Sequence, residues 1–377
     1  MDNATLERKA EELTNLAADL FIVDAYYLHQ RQVVFSLRYR FDPNKSVQLL
    51  KDRLQLAGYK FTLNQTDDSL LVSVNPERKL VIPKLNLLLF FLTLASVYFV
   101  PVFYFNLNAP TLSAAFRATL DDLGRGRGLM FTAALISILL VHEMGHFWAS
   151  RRRGIVTSWP YFIPAPNFIG TFGAVIRSKS PFWNRRDLIE VGATGPIAGW
   201  VVALGWLIYG LNHSLVLAGE LATFSGMAFT LNGESLLTQA LVPMLIGPAP
   251  PGTFYVFSEA AFAGWVGLLV TALNMLPIGQ LDGGHVAYAV LGSRWSTYLT
   301  FATVGVAFGL AFFAYSWIVW TGMMVVMLLT FGPRHPRVFD EEVPLDRTRL
   351  ILAVCAVVMF ILCFTPAPIR PMELIGR

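Results

Sequence analysis

Long uncharged stretches constrain this chain more than any other feature of its sequence. Residues 85–116 carry no charged side chain, and Lys84 and Arg117 stand at the two ends of the stretch. An α-helix needs about 20 mostly apolar residues to cross a bilayer, so this stretch is long enough for one span. Charged residues make up 14% of the 377-residue chain, against roughly 25% in soluble domains. The sequence therefore predicts a polytopic α-helical membrane protein.

The first 83 residues are more polar than the rest and predict a small soluble α/β domain. A helix is expected over residues 6–20 and a second one after Asp42-Pro43, where the aspartate can cap the helix and the proline can start it; Gly58 should end it. Residues 1–20 lack the apolar segment of a secretory signal. A regulatory or docking role, with a cytoplasmic partner, is the natural expectation. The predicted strands are 33–40, 59–63 and 69–74.

Further apolar segments predict additional spans, and the region 213–247 is interrupted by Glu220, Glu234, glycines and prolines. This region predicts either an extra helical hairpin or a re-entrant segment. The predicted spans are 85–106, 128–150, 189–211, 258–276, 296–314, 316–331 and 350–365.

Arginine and lysine residues orient the predicted spans. The segment 151–188 is rich in both, whereas no arginine or lysine occurs from Asp187 to Ser293. Basic loops face the cytoplasm, so we expect 151–188 and the N-terminal domain on the cytoplasmic side and the C-terminus outside. This distribution also accounts for the net charge of +4, and a nucleic-acid partner is not expected.

The predicted second span contains the motif His142-Glu143-Met144-Gly145-His146. Histidines four residues apart lie on one face of a helix, where both imidazoles can bind one metal ion. Glu143 then lies beside the ion, in position to act as a base. Ionisable groups inside a membrane cost several kcal/mol, which favours a functional interpretation. Gly145 favours either close helix packing or access for a substrate.

A third metal ligand is expected from residues 273–285, LNMLPIGQLDGGH. Asp282 has no basic residue near it in sequence, which favours a cation as its partner; the alternative is that it caps a helix over 285–292. His285 is a rival ligand or a partner that supports Asp282. His213 and His335 lie in predicted loops and are not expected at the site.

The pair of motifs, HExxH and Asn274-x-x-Pro277 followed by Leu281-Asp282-Gly283-Gly284, resembles the site-2 protease family of intramembrane zinc metalloproteases. The resemblance implies one zinc ion held by His142, His146 and Asp282, with Glu143 as the catalytic base. It also implies that Asn274 lies near the substrate backbone or the developing oxyanion. The implied activity is hydrolysis of peptide bonds within or near the transmembrane segments of membrane protein substrates.

The resemblance covers about 128–285, the expected protease core of about three spans. Residues 84–127 would then supply the first span and an outer loop, and 286–377 additional C-terminal spans. A strand-forming loop is expected near 165–182, because IGTFGAVIRSKS is similar to the family's G-x-x-G strand, and Gly192, Gly195 and Gly199 resemble its third core span. The absence of a PDZ-like insertion makes the layout similar to the cyanobacterial and chloroplast branch, and we expect a bacterial plasma membrane.

Two other classes of protein also fit a buried metal site. A membrane zinc transporter or metal sensor would need ligands at a midplane site and usually more acidic residues in its spans. A catalytically inactive scaffold would be expected to lack Glu143 or a ligand, and this chain retains all four residues.

Overall fold

The protein is described by a computed structural model that covers residues 3–366, apart from 30–31, 66–68, 79–81, 179–181, 183, 219–234, 249, 251–252, 314–315, 337 and 339. It combines an N-terminal α/β unit with a mostly helical body and two short hairpins. The N-terminal unit consists of α1 (Asn3–Ala17), β1 (Phe21–His29), β2 (Gln32–Tyr39), α2 (Pro43–Ala57), β3 (Tyr59–Gln65) and β4 (Ser69–Arg78).

The N-terminal strands form one antiparallel sheet in the order β1-β2-β4-β3. Alternate residues of β2 and β4 bury their side chains against α1 and α2. Asp42 accepts a hydrogen bond from the Lys45 backbone and Gly58 ends α2 with a φ of 79°, as predicted. The prediction omitted β1, where a bulge between Val23 and Ala25 interrupts the strand pattern.

The helical body follows in nine helices of the described chain and two antiparallel hairpins. Its helices are α3 (Lys84–Asn106), α4 (Leu112–Gly124), α5 (Leu129–Arg152), α6 (Arg185–Leu211), α7 (Leu236–Leu245), α8 (Glu259–Asn274), α9 (Asp282–Leu310), α10 (Ser316–Phe331) and α11 (Arg347–Cys363). The hairpins pair β5 (Tyr161–Pro164) with β6 (Thr171–Val175) and β7 (Leu215–Ala218) with β8 (Thr253–Val256).

Among the described residues, α3, α5 and α6 are long and apolar enough to cross a membrane. The remaining predicted spans correspond to α8, the second part of α9, α10 and α11, and α8 is only 16 residues long. The predicted span 296–314 overlaps the second part of a helix that begins at Asp282, is kinked at Gly292, whose φ is 78°, and ends at Leu310, four residues before the predicted end.

Of the two alternatives for 213–247, the helical hairpin is wrong for residues 215–218, which form a strand, and the re-entrant segment stays a prediction. The partner strand of 215–218 begins at Thr253. Because the two strands are more than 30 residues apart, the local pattern of apolar residues gives no sign that they pair. Residues 236–245 are helical, and 219–234 lie outside the described part of the chain.

Helices α5, α6 and α8 form the centre of the helical body, and glycines let their backbones approach closely. A Cβ atom added at Gly264 of α8 would lie 2.5 Å from the Leu207 backbone nitrogen of α6. One added at Gly210 would overlap the Ala261 backbone. Small residues at such crossings allow tight helix packing, so α6 is held against both α5 and α8.

The N-terminal unit contacts the end of α5. The Arg151 guanidinium donates to the backbone oxygens of Leu56 and Ala57 at 3.1 and 3.2 Å, which caps the last turn of α2. Val156, just beyond α5, is buried in the core of the N-terminal unit. The unit is therefore attached directly to the helix that carries the HExxH motif.

Replacing Arg151 with alanine should loosen this attachment. Hydrogen bonds from a charged donor contribute about 1.5–3 kcal/mol, so the amides at the end of α2 should exchange with solvent about tenfold faster in hydrogen–deuterium exchange. The matched control is Arg152→Ala, because Arg152 is exposed. Equal exchange rates in the two variants would contradict the proposed attachment.

Candidate metal centre

Three candidate ligands from α5 and α9 converge on one point. His142 and His146 project their Nε2 atoms to within 3.2 Å of each other. The Asp282 carboxylate lies 3.2 Å from each ring, through Oδ2 to His142 Nε2 and through Oδ1 to His146 Nε2. Within the described part of the chain, these three side chains are close enough together to bind one metal ion.

The spacing of these donor atoms fits a zinc ion. Tetrahedral ligand atoms about 2.0–2.1 Å from zinc are about 3.3–3.4 Å apart, close to the 3.2 Å separations observed. Two imidazoles and one carboxylate are also a donor set used by catalytic zinc, with a fourth position left for water or substrate. The three residues predicted as ligands therefore fit the metal in both chemistry and geometry.

Helix α6 orients one of the candidate ligands. His146 Nδ1 lies 2.8 Å from the Val191 backbone oxygen. Since a carbonyl oxygen only accepts hydrogen bonds, Nδ1 carries the proton, and in the neutral ring the lone pair of Nε2 is available to a metal ion. A hydrogen bond of this kind fixes the tautomer and orientation of a metal-binding histidine.

A row of glycines on α6 makes room for the imidazoles. A Cβ atom at Gly195 would overlap the His146 ring, and one at Gly199 would lie 2.9 Å from His142 Cβ. At Gly145 of α5, an added Cβ would lie 3.0 Å from Gly195 Cα. Close packing of α5 against α6 therefore accounts for Gly145, and this packing brings both histidines to the site.

The LDGG motif places Asp282 at the start of α9. The capping residue is Leu281, which makes no side-chain cap, so the alternative that Asp282 caps a helix over 285–292 is wrong. Cβ atoms at Gly283 and Gly284 would overlap the backbone of Met275 and Gly279. The two glycines therefore let the first turn of α9 fold back against the end of α8.

Glu143 and Asn274 lie at the same site. Both line a cavity of about 170 Å³ that also contains the three candidate ligands. His142, Glu143 and His146 are only 5%, 4% and 8% exposed. Strand β6 contributes Ala174 and Val175 to the cavity wall, which brings the G-x-x-G strand beside the candidate ligands.

His285 also lines this cavity, but it belongs to a second pair of histidines. Its Nδ1 lies 2.5 Å from Nε2 of His335, a residue that was not expected near the site and that is connected to the cavity through His285. Sequence reasoning missed His335 because it is 50 residues from His285 in a loop with no metal-binding motif. His213, by contrast, is exposed and bonded to the Tyr209 backbone oxygen.

The site thus combines two histidines of an HExxH motif on one helix with an aspartate from a later helix, a donor set that suits catalytic zinc. Residues 130–316 match peptidase family M50. The chain therefore contains a peptidase M50, or site-2 protease, domain.

Chloroplast proteins are among its relatives. It is 30% identical over 376 residues to the probable zinc metalloprotease EGY2, chloroplastic, of Oryza sativa subsp. indica, an alignment that covers 94% of this chain and 66% of the relative. The Arabidopsis thaliana protein of the same name is 28% identical, with 93% and 63% covered, and Arabidopsis EGY1 is 35% identical over 163 residues, with 42% and 29% covered.

The chain thus spans slightly less than two thirds of the length of the EGY2 proteins it matches. No solved structure matches it. The similarity of the layout to the chloroplast branch of the family is confirmed by these relatives, which are themselves named as probable zinc metalloproteases.

Replacing Gly195 with alanine should weaken zinc binding, because the added methyl group would displace the His146 ring. Loss of ligand orientation typically costs about 10–100-fold in metal affinity. Competition with a chromophoric chelator measures the change. Gly205→Ala on the same helix is the control, since a Cβ there meets no atom within 4 Å. Equal zinc affinity in the two variants would contradict this role for Gly195.

Proposed function

We propose that this protein is an intramembrane zinc metalloprotease that hydrolyses peptide bonds within or near the transmembrane segments of membrane proteins. The observation that carries the proposal is the convergence of His142, His146 and Asp282 beside Glu143 in one cavity. The match of residues 130–316 to peptidase family M50 supports the reaction class.

In the proposed mechanism, His142, His146 and Asp282 hold zinc, which when bound acidifies water and polarises the scissile carbonyl. Glu143 takes the proton from the attacking water and delivers it to the leaving amine. Asn274, from the end of α8, donates a hydrogen bond to the substrate backbone or to the developing oxyanion. Val191 and the glycine row of α6 keep the imidazoles oriented throughout.

The substrate backbone is proposed to bind along β6. A peptide bond inside a helix is shielded by backbone hydrogen bonds, so the substrate must be extended before cleavage. In the described chain β6 pairs with β5 along one edge only, and Phe172 and Val175 are 72% and 49% exposed. Addition of a strand to this edge would place an extended segment along the cavity wall.

Helices α3, α5 and α6 are proposed to cross the bilayer, consistent with their length and composition. The cytoplasmic position of residues 1–83 and the external C-terminus stay predictions from the charge pattern. The relatives' names place those proteins in the chloroplast and give no support to a bacterial plasma membrane. A cytoplasmic partner of the N-terminal unit likewise stays a prediction.

The competing functions are a zinc transporter or sensor and an inactive scaffold. A carboxylate beside the ligands and an open strand edge at the same cavity favour a hydrolase. Neither feature is needed to transport or sense an ion.

Replacing Glu143 with glutamine should abolish proteolysis while zinc remains bound, because the ligands are unchanged and only the base is lost. General acid–base catalysis contributes about 10²–10⁴-fold in rate. Cleavage is measured with the purified protein and a single-span substrate in liposomes, and bound zinc by elemental analysis.

Two further variants complete this experiment. Asp282→Ala should lose both zinc and activity, whereas His213→Ala, far from the site, should keep both. Wild-type cleavage by Glu143→Gln would exclude the proposed mechanism. A wild-type protein that binds zinc but cleaves no membrane substrate would favour the scaffold.

A further inference from the structure

The described residues of the segment 332–346, which exclude 337 and 339, lie between α10 and α11 and pack against the first turns of α9 and the start of α6. Within it, Val338 is part of the main hydrophobic core, and Glu341 Oε1 accepts a hydrogen bond from the Tyr288 hydroxyl at 2.5 Å. Arg186 at the start of α6 donates to the Pro344 backbone oxygen at 2.6 Å. This segment is therefore held at several points against the helices that form the metal centre.

Within this segment, His335 contacts His285, which lines the cavity. It is buried, its ring packs against Tyr288 with centroids 4.6 Å apart, and its Nε2 lies 2.5 Å from His285 Nδ1. Burial lowers the pKa of His335, which favours a neutral ring at physiological pH.

The hydrogen bonds determine which nitrogens of this pair carry protons. His335 Nδ1 lies 2.6 Å from the Pro336 backbone oxygen, which can only accept, so Nδ1 is the protonated nitrogen of the neutral His335 ring. Its Nε2 must then accept from His285 Nδ1. A neutral His285 therefore has no proton on Nε2, the same tautomer that the Val191 oxygen selects for His146.

The position of His285 connects this tautomer to the metal centre. His285 lies one turn after Asp282 on α9, and a Cβ atom at Gly192 of α6 would lie 2.8 Å from His285 Cβ. Gly192 directly follows Val191, whose oxygen orients His146. The His285 side chain thus begins on the turn of α9 that carries Asp282 and lies against the turn of α6 that orients His146.

We propose that His335 is a positioning residue for the metal centre: it holds His285 in one orientation and one tautomer, and through that ring it fixes the first turn of α9, which carries Asp282. The inference rests on the proposed function only in requiring a metal at His142, His146 and Asp282. It assigns a role to a loop residue that no metal-binding motif includes.

The test compares His335→Leu with His335→Gln in the full-length protein. Leucine removes the acceptor for His285 Nδ1, whereas the glutamine side-chain oxygen can replace it. We expect His335→Leu to weaken zinc binding by about 10–100-fold in chelator competition and to change the visible spectrum of the cobalt-substituted protein. His335→Gln should recover most of the zinc affinity and the cobalt spectrum. His213→Leu is the control for loss of an unrelated histidine and should match the wild type.

The tautomer is measured directly by ¹⁵N NMR of protein labelled at its six histidines, with His285→Gln used to assign the signal. In the wild type, His285 should be protonated at Nδ1, and His335→Leu should abolish this preference. A wild-type His285 protonated at Nε2 would overturn the inference.

Measurements of zinc affinity and of thermal stability distinguish a positioning role of His335 from a purely structural one. If His335→Leu and His335→Gln lower zinc affinity equally, and both lower the melting temperature of the zinc-free protein, His335 is structural and the inference is wrong. Unchanged zinc affinity and an unchanged cobalt spectrum in His335→Leu would also overturn it. If the wild-type protein bound no zinc, both the proposed function and this inference would be wrong. If the wild type bound zinc and His335→Leu had the same zinc affinity, only this inference would be wrong.

Discussion

The site depends on the close contact between α6 and the imidazoles of α5 and α9. Three glycines on one face of α6 each lie opposite a histidine: Gly192 opposite His285, Gly195 opposite His146 and Gly199 opposite His142. Side chains at these positions would occupy the space of the rings. The glycine row therefore allows three polar rings to pack inside an apolar helical body, in addition to letting backbones approach.

Burial of these polar groups is costly unless each finds a partner. Asp282 lies within 3.2 Å of both candidate histidine ligands, and His146 is also bonded to the Val191 oxygen. Together the three side chains form a cluster whose donor atoms are already placed for a divalent ion, so binding needs little rearrangement. Because the rings are oriented from outside the cluster, metal affinity should depend on α6 as much as on the ligands themselves.

Local patterns in the sequence predicted those parts of the structure that depend on local spacing. The four-residue separation of His142 and His146 places both on one face of a helix. Asp42 and Gly58 likewise mark the ends of α2. Each of these signals lies within one or two helical turns, where chain geometry determines the outcome.

Other features depend on contacts between distant residues and could not be predicted in this way. The strand at 215–218 requires a partner beginning at Thr253, and His335 reaches His285 only after α10 has folded back against α9. In β1, a bulge hides the alternation that would otherwise have indicated a strand. Tertiary packing decides these elements.

The start of α6 joins the polar end of the helical body to the metal centre. Glu190 is paired with Arg153 at the end of α5 and, at 2.6 Å, with Arg349 of α11. Arg349 is also bonded to Asp346 at 2.8 Å. Since Val191 follows Glu190 directly, these ion pairs fix the position of the carbonyl that orients His146. The same turn of α6 is therefore held from the polar side by paired charges and from the apolar side by the glycine row, and its position determines where the His146 lone pair points.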